Sequence, residues 1–395
     1  MFKKVMSAFW GYMISISILP AQHNNLDRLL ASVEQNNAEL IAFHANMNSQ
    51  LLGFQTDNKL PDPQAGAYYL PWGNHLSGDY VELQLTQTFE FPTVYGVRKT
   101  LIGQQNEHLE TEYRLLRQDI LLQVIQLWHE GVYLNQVKQT ETERIALSRQ
   151  VFTQIETLFN AEEKGILEYN KAKIIWMQQQ FALEEIEHEL ARIQNHLSLL
   201  NGGLSISIEQ QSFDDKLVIA SLDSLWQQKL EQDPSLNILQ VQEGLAAQNI
   251  QLSHHLNRPQ LTLGINYQGV SGEYYGGVFG GFSIPLWSNR NRIAAAEAQY
   301  LYQQSHTTAK RSQRYTRLQT QYQRYQHLIK NYREYEQILN GLDSESLLLT
   351  AYQLEEISFQ DFYLELQFYY QAADKLREME LSILQLKAEL LKFQL

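Results

Sequence analysis

Two long segments of the chain place apolar residues at intervals of three and four. None of the eight prolines falls within residues 93–233 or 286–395, and both segments are rich in Gln, Glu, Leu, Ala and Arg, which favour helix. One apolar stripe consists of Leu109, Tyr113, Leu116, Ile120, Val124, Leu127, Gly131 and Leu134. This spacing, close to a heptad repeat, is typical of long helices that pack side by side.

The apolar spacing also predicts how long the helices are. It runs without interruption from about residue 95 to 162 and from about 289 to 355, and a helix of about 66 residues extends roughly 100 Å. Half-length helices are predicted at about 25–58, 167–199, 221–256 and 360–393. Two half-length helices placed end to end match one long helix, so each half of the chain can form a pair of helical columns.

Four short segments alternate instead with period two. These predicted strands span about 64–70, 80–91, 260–269 and 273–284. In the second strand, for example, Leu83 and Leu85 flank Gln84. A strand that is apolar on one face and polar on the other suits a transmembrane barrel, although a half-buried strand of a soluble sheet has the same pattern. Aromatic residues around the connecting loops, such as Trp72 and Tyr274, favour the barrel.

The chain contains one structural unit twice. Residues that match at an offset of 193 include Phe89, Phe91 and Pro92 with Phe282, Ile284 and Pro285. The opening helices match at an offset of 196, so only the strand-bearing connection differs in length. We therefore assign residues 22–200 to a first repeat, 201–220 to a linker and 221–395 to a second repeat. A period this long is not that of a solenoid.

The N-terminus resembles an export signal, predicted as residues 1–21. Lys3 and Lys4 precede an apolar stretch from Val5 to Leu19, and a small residue, Ala21, follows. A retained membrane anchor is the alternative. The chain has no cysteine, so neither disulfides nor a thiolate metal site are expected, and its net charge of −13 argues against a nucleic-acid partner.

The four strands of one chain leave two sheet edges open. Unpaired backbone groups are costly in lipid, so several copies must close a ring if the strands lie in a membrane. Two copies give eight strands, whose interior fills with side chains, whereas three copies give twelve and leave a lumen. The polar face, with Glu82 and Glu90, favours the larger ring. The helices are too long for a bilayer and are expected to project from it.

These features together resemble the TolC family of outer-membrane efflux channels, over essentially the whole mature chain. The resemblance rests on the duplicated helix–strand–strand–helix–helix unit, on the strand ends Phe-x-Phe-Pro92 and Phe-x-Ile-Pro285, and on the turns around Gly165 and Ser358. The fold class is accordingly a mixed α/β membrane protein, with a long antiparallel α-helical barrel and a 12-stranded β-barrel formed by a trimer. The segments Asn58–Pro63 and Phe91–Gly96 most resemble members that accompany heavy-metal pumps of the resistance–nodulation–division (RND) type.

The resemblance also implies a cellular role. It implies a homotrimer in the outer membrane, with helices in the periplasm that dock through their tips to a periplasmic adaptor and an inner-membrane RND pump. Many members are lipid-modified on cysteine, and this chain has none. The exit channel would conduct substrates passively, with metal cations and drugs among the candidates. The alternative is an adaptor-like helical hairpin scaffold without a pore.

Acidic residues surround the two predicted tip turns, at about 163–167 and 356–360. The candidate tip residues are Glu162, Glu163, Lys164, Gly165 and Glu168 in the first repeat, and Glu355, Glu356, Ser358 and Asp361 in the second. In a threefold assembly, any inward-facing carboxylate becomes a ring that selects cations. Solvated charge at helix ends is the alternative. Lys164 is placed to pair with a neighbouring carboxylate.

Two prolines mark the predicted junctions between strands and helices. Pro92 and Pro285 each end a strand before a long helix, where a fixed φ and a missing N–H are tolerated. No nucleophile–base arrangement, phosphate loop or paired-carboxylate motif occurs, and the histidines are scattered. The sequence therefore predicts no enzyme, no cofactor and no metal site.

Overall fold

A computed structural model describes residues 25–395, apart from 71, 73–78, 214–216, 271, 288 and 342–343. The predicted export signal, residues 1–21, lies outside the described residues. The first repeat contains helices α1 (Asn25–Asn36) and α2 (Ala38–Thr56), strands β1 (Gln64–Leu70) and β2 (Tyr80–Phe89), and helices α3 (Pro92–Asn160) and α4 (Ile166–Leu200).

The second repeat has the same order of elements. It contains α5 (Leu222–Gln232), α6 (Pro234–Leu256), β3 (Gln260–Val270), β4 (Glu273–Ser283), α7 (Arg292–Leu339), α8 (Ser344–Gln353) and α9 (Phe359–Leu391), followed by a 3₁₀ turn at Lys392–Gln394. The four strand positions therefore agree with the sequence-based ones to within two residues at each end.

The four strands form one antiparallel sheet in the order β1-β2-β3-β4. Its central pair, β2 with β3, joins the two repeats in a register that runs from Tyr80 opposite Val270 to Phe89 opposite Leu261. Among the described residues, β1 and β4 each pair with one neighbouring strand, so their outer edges are open there. Gly264 is required here, since a Cβ at this position would lie 2.7 Å from the carbonyl oxygen of Leu85.

The helices pack along their length as two pairs of columns. In the second repeat, α6 and α9 both pack against α3 and α7. Because α6 leads up to the sheet and α9 returns from the tip, these two half-length helices lie end to end, as the sequence predicts. A buried cluster that includes Val124, Trp128 and Ile193 joins α1, α3 and α4, and a second that includes Tyr325 and Ile383 joins α7 and α9.

The opening helix of each repeat is divided at one polar residue. Asn37 caps α2, because its side chain accepts hydrogen bonds from the N–H groups of Glu39 and Leu40. Asp233 caps α6 through the N–H of Ser235 at 2.9 Å. Each cap satisfies backbone donors that the start of a helix leaves without a partner. Asn37 and Asp233 are equivalent at the offset of 196, so the repeat includes this break.

The long helix of the second repeat is shorter than the sequence predicts. The expected unbroken run from 289 to 355 is wrong, since α7 ends at Leu339 and α8 begins at Ser344. Asn340 and Gly341, which follow α7, are poor helix formers and are common where helices end. The apolar spacing continues across this break, and for that reason the periodicity does not reveal it.

Candidate functional site

The sheet exposes its apolar face. Leu83, Leu85 and Ile265 are 51%, 47% and 59% exposed, whereas the alternating Gln84 and Asn266 are partly buried. Leu83 lies opposite Tyr267, and Leu85 opposite Ile265. The apolar side chains therefore form one continuous surface across the strands. A soluble sheet covers such a face with helices, but no described helix packs extensively on either side of this one.

The first tip is a tight turn between α3 and α4 with an unusual backbone. Glu162 has a positive φ of 62°, and the N–H of Glu163 donates to the carbonyl of Leu158 at 2.8 Å. This is the pattern of a helix that ends in a left-handed residue, a position where glycine is usual. A side chain with a Cβ is strained there by about 1 kcal/mol.

The second tip, between α8 and α9, repeats this backbone. Glu355 has a φ of 58°, and the N–H of Glu356 donates to the carbonyl of Ala351 at 2.9 Å. Glu162 and Glu355 are equivalent at the offset of 193. Both tips therefore hold a glutamate in the left-handed conformation at the same point of the turn.

The start of the returning helix differs between the tips. Ser358 caps α9, since its hydroxyl accepts from the N–H of Asp361 at 3.1 Å and donates to the Asp361 carboxylate at 2.6 Å. Gly165 has no side chain with which to cap α4. Instead Lys164 lies 3.6 Å from Glu168, which confirms the predicted pairing.

An aromatic core holds the two tips at one level. Phe159 stacks on Tyr169 with ring centroids 4.9 Å apart, and the equivalent Tyr352 stacks on Phe362 at 5.0 Å. Both tips contribute to one buried cluster, which includes Val151, Phe152, Ile155, Ala172, Tyr352, Phe359, Phe362 and Leu366. Burial, and then the nearby Glu168 and Glu355, raise the pKa of Tyr352. The shared cluster therefore ties the two tips to each other at the same end of the helices.

Solved structures of outer-membrane proteins have the same arrangement. CusC, crystallised in connection with folding and transmembrane channel formation, matches with a TM-score of 0.78 at 14% identity, over 94% of this chain and 92% of its own. VceC from Vibrio cholerae matches with a TM-score of 0.75 at 15% identity, over 93% of this chain and 95% of its own. The CmeC outer-membrane channel of Campylobacter jejuni matches with a TM-score of 0.70 at 14% identity, over 94% of this chain and 85% of its own.

This chain has the outer-membrane channel fold. The expected TolC-like fold of the chain, mostly helical with a small antiparallel sheet, is thereby confirmed. No protein-family model matches the chain, and no curated protein matches it at the sequence level. Within the described part of the chain, no helix combines the length and apolar character that crossing a membrane requires.

The channel fold brings the predicted tip residues to one end of the helices. Glu162, Glu163, Glu355, Glu356 and Asp361 are exposed, and Glu168 is partly buried. The tip turns lie within a residue or two of their predicted positions. Among the described residues, no group of acidic or histidine side chains is arranged to hold a metal ion.

The two junction prolines are not equivalent in the structure. Pro92 is the first residue of α3, as expected. Pro285 lies in the connection after β4, and α7 begins only at Arg292. Glu90, which the sequence places on the inner face of the barrel, lies beyond the end of β2. Its carboxylate instead accepts two hydrogen bonds from Arg98, at 2.6 and 2.9 Å.

A buried ionic contact joins the two repeats and has no signal in the sequence. Arg144 on α3 donates to both carboxylate oxygens of Asp374 on α9, at 3.0 and 2.8 Å, and lies 4.2 Å from the ring centre of Tyr370. Glu141 accepts from the same guanidinium at 3.2 Å, and burial raises its pKa while Arg144 opposes that rise. Removal of one partner would leave buried charge uncompensated. No sequence spacing links positions so far apart in the chain.

Proposed function

We propose that this protein is the outer-membrane exit channel of an efflux system. Three copies would close their sheets into a 12-stranded barrel, and the helices would extend the conduit into the periplasm. The observation that carries this proposal is the exposed apolar face of the sheet, since lipid is the environment that such a face suits. The shared fold of CusC, VceC and CmeC supports it.

The free sheet edges and the helix lengths support the same arrangement. Backbone groups on β1 and β4 require partners inside a membrane, and neighbouring copies can supply them. Helix α3, with 69 residues, extends about 100 Å, whereas the hydrocarbon core of a bilayer is about 30 Å thick. The helices therefore belong outside the membrane.

An exposed apolar stripe on α4 supports a homotrimer. Leu167, Ile174 and Phe181 recur every seven residues and are 74%, 54% and 59% exposed. Leu347 on α8 and Leu354, which directly follows α8, are also seven apart and exposed. Heptad-spaced apolar residues pack against a second helix, and no described helix of the same chain covers these. A neighbouring copy would cover them.

The strained glutamates support a role for the tips as the periplasmic aperture. Glu162 and Glu355 stay in a conformation that glycine adopts at no cost, and such strain is often retained at functional positions. Under threefold symmetry they would form two rings of three carboxylates, which would favour cations. The tips would also dock a periplasmic adaptor coupled to an inner-membrane RND pump. Metal cations and drugs are the candidate cargoes.

Matched variants on the two faces of β2 test the channel. Leu85→Arg places a charge on the apolar face near the middle of the strand, where arginine in lipid costs about 2–4 kcal/mol. Gln84→Arg places the same charge on the polar face. We expect the wild type and Gln84→Arg to fractionate with the outer membrane as a heat-sensitive trimer, and Leu85→Arg to lose trimer. A soluble wild-type monomer, or equal behaviour of the two variants, would contradict the proposal.

A further inference from the structure

A charged cavity lies where the two half-length helices of the second repeat meet. Helix α6 begins at Pro234 and α9 ends at Leu391, and both pack against α3 and α7. Between these helices is a cavity of about 500 Å³. Its basic lining residues are Lys229, Arg314, Arg317 and Lys392.

The acidic residues of the cavity already have partners. Asp233 lies 3.1 Å from Lys229 and accepts from the N–H of Ser235. Glu389 accepts from the side-chain amide of Gln321 at 2.7 Å. Asp119 pairs with Lys392. These contacts occupy both lysines. Glu389 is paired with a neutral amide and keeps its charge, so the four basic and three acidic side chains of the lining leave a net charge of +1.

Arg314 and Arg317 are the two basic residues of the lining that have no ion-pair partner; Arg314 is partly buried and Arg317 is exposed. They lie one turn apart on α7, and across the described chain no carboxylate comes within 4.0 Å of either. The Nη1 atom of Arg314 is buried and has no hydrogen-bond partner, and the same is true of Nε2 of Gln118, whose side chain is 2% exposed. Burial lowers the pKa of Arg314; nearby Asp233 opposes this, and Arg317 adds to it.

Buried donors without partners cost free energy, so such groups normally face a bound acceptor. The guanidinium group matches phosphate oxygens with paired N–H donors. We propose that this cavity is a binding site for an oxyanion of the phosphate class, held by Arg314 and Arg317, with Gln118 as an additional donor. The anion would join α3 to α7 at the seam between α6 and α9.

The position of the cavity indicates a soluble anion. Helix α6, with 23 residues, separates the cavity from the start of β3 by about 35 Å. A lipid headgroup at the level of the sheet would not reach this far. A free phosphate or a small phosphate monoester would reach it from the surrounding solution.

Phosphate-dependent stability tests the site in the full-length protein. We expect inorganic phosphate to raise the melting temperature of the wild type in a saturable way, at constant ionic strength against chloride. Arg314→Gln should raise the half-saturating phosphate concentration about tenfold or more, because a charge-assisted contact is lost. Arg311→Gln, an exposed arginine on the same helix outside the cavity, is the matched control and should respond like the wild type.

A second measurement covers the case in which Arg314→Gln does not fold. Arg314→Lys keeps the charge and loses the paired donors, so it should still respond but only at higher phosphate concentration. When denatured wild type is extracted with organic solvent, the bound phosphorus should be found in the aqueous phase. Phosphorus that is found in the lipid phase, and that is lost in Arg314→Lys, would overturn the assignment to a soluble anion. A wild type that phosphate does not stabilise, or an equal response in Arg314→Gln and Arg311→Gln, would overturn the site itself.

Discussion

The two tips have the same backbone and different side-chain support. Both have a left-handed glutamate and an aromatic stack about 5 Å between ring centres. The second tip adds a serine cap at Ser358, whereas the first has Gly165 and an ion pair between Lys164 and Glu168. The difference indicates that the shape of the turn and its distance from the sheet are the common requirement. Local stability is achieved differently in each repeat.

The largest expected effect contrasts the equivalent aromatic residues of the two stacks. Phe362 is 2% exposed, whereas Tyr169 is only partly buried. Phe362→Ala should lower the free energy of unfolding by about 3–5 kcal/mol, because it leaves a cavity. Tyr169→Ala should cost roughly 1–3 kcal/mol. Chemical denaturation followed by circular dichroism measures both, and equal costs would mean that the second tip is not the better-packed one.

The next effect tests whether the left-handed glutamates are retained for their charge. The double variant Glu162→Gly and Glu355→Gly should increase the free energy of unfolding by up to about 2 kcal/mol, because glycine relieves the strain at both turns. It should also lose cation preference in planar-bilayer conductance. The double alanine variant removes the same charge and keeps the strain, so it should lose the preference without the gain. Unchanged selectivity in both variants would exclude these residues from the aperture.

Reciprocal changes at the helix starts test the difference in capping. Ser358→Ala should destabilise the protein by about 1 kcal/mol, since the N–H of Asp361 loses its acceptor. Gly165→Ser should stabilise it by a few tenths of a kcal/mol, because a Cβ there meets nothing within 4 Å. Thermal melting compares the two. A loss of stability in Gly165→Ser would show that the first tip depends on having no cap.

The smallest effect concerns two glutamates that are equivalent at the offset of 193. Burial, and then Glu336, raise the pKa of Glu380, so its stabilising contribution is complete below the ordinary value of 4.5 and is lost as pH rises through the folded-state value. The free energy of unfolding of Glu380→Gln should therefore increase relative to that of the wild type between pH 4.5 and pH 8. The increase should be less than about 1 kcal/mol, because water screens a half-buried group.

Glu187 provides the control for that pH series. It is exposed and pairs with Lys138 at 2.7 Å, so Glu187→Gln should cost less than about 1 kcal/mol. Melting temperatures across the pH range measure both variants. If Glu380→Gln lost stability relative to the wild type as pH rises, the pKa of Glu380 would be lowered by folding and not raised.

The elements with strong local signals could be predicted from the sequence. Strict alternation around Leu83 and Leu85 located β2, and the acidic turns located both tips. The apolar periodicity missed the break after Leu339, because apolar spacing continues into α8; the local signal was the pair Asn340 and Gly341. The contact between Arg144 and Asp374 was also beyond the sequence, since it depends on how α3 and α9 pack. The strand alternation also extended too far, since β2 ends at Phe89 and Glu90 pairs with Arg98.

The unequal connections between strands and helices have a mechanical consequence. Only Glu90 and Phe91 separate β2 from α3, so a rotation of that strand must turn the helix with it. Eight positions, 284–291, separate β4 from α7, so a rotation of β4 is coupled to α7 over a longer stretch of chain. In a ring of three copies, short and long connections into the long helices would alternate around the rim. Of these, the three β2–α3 connections would transmit torsion from the periplasmic end to the membrane most directly.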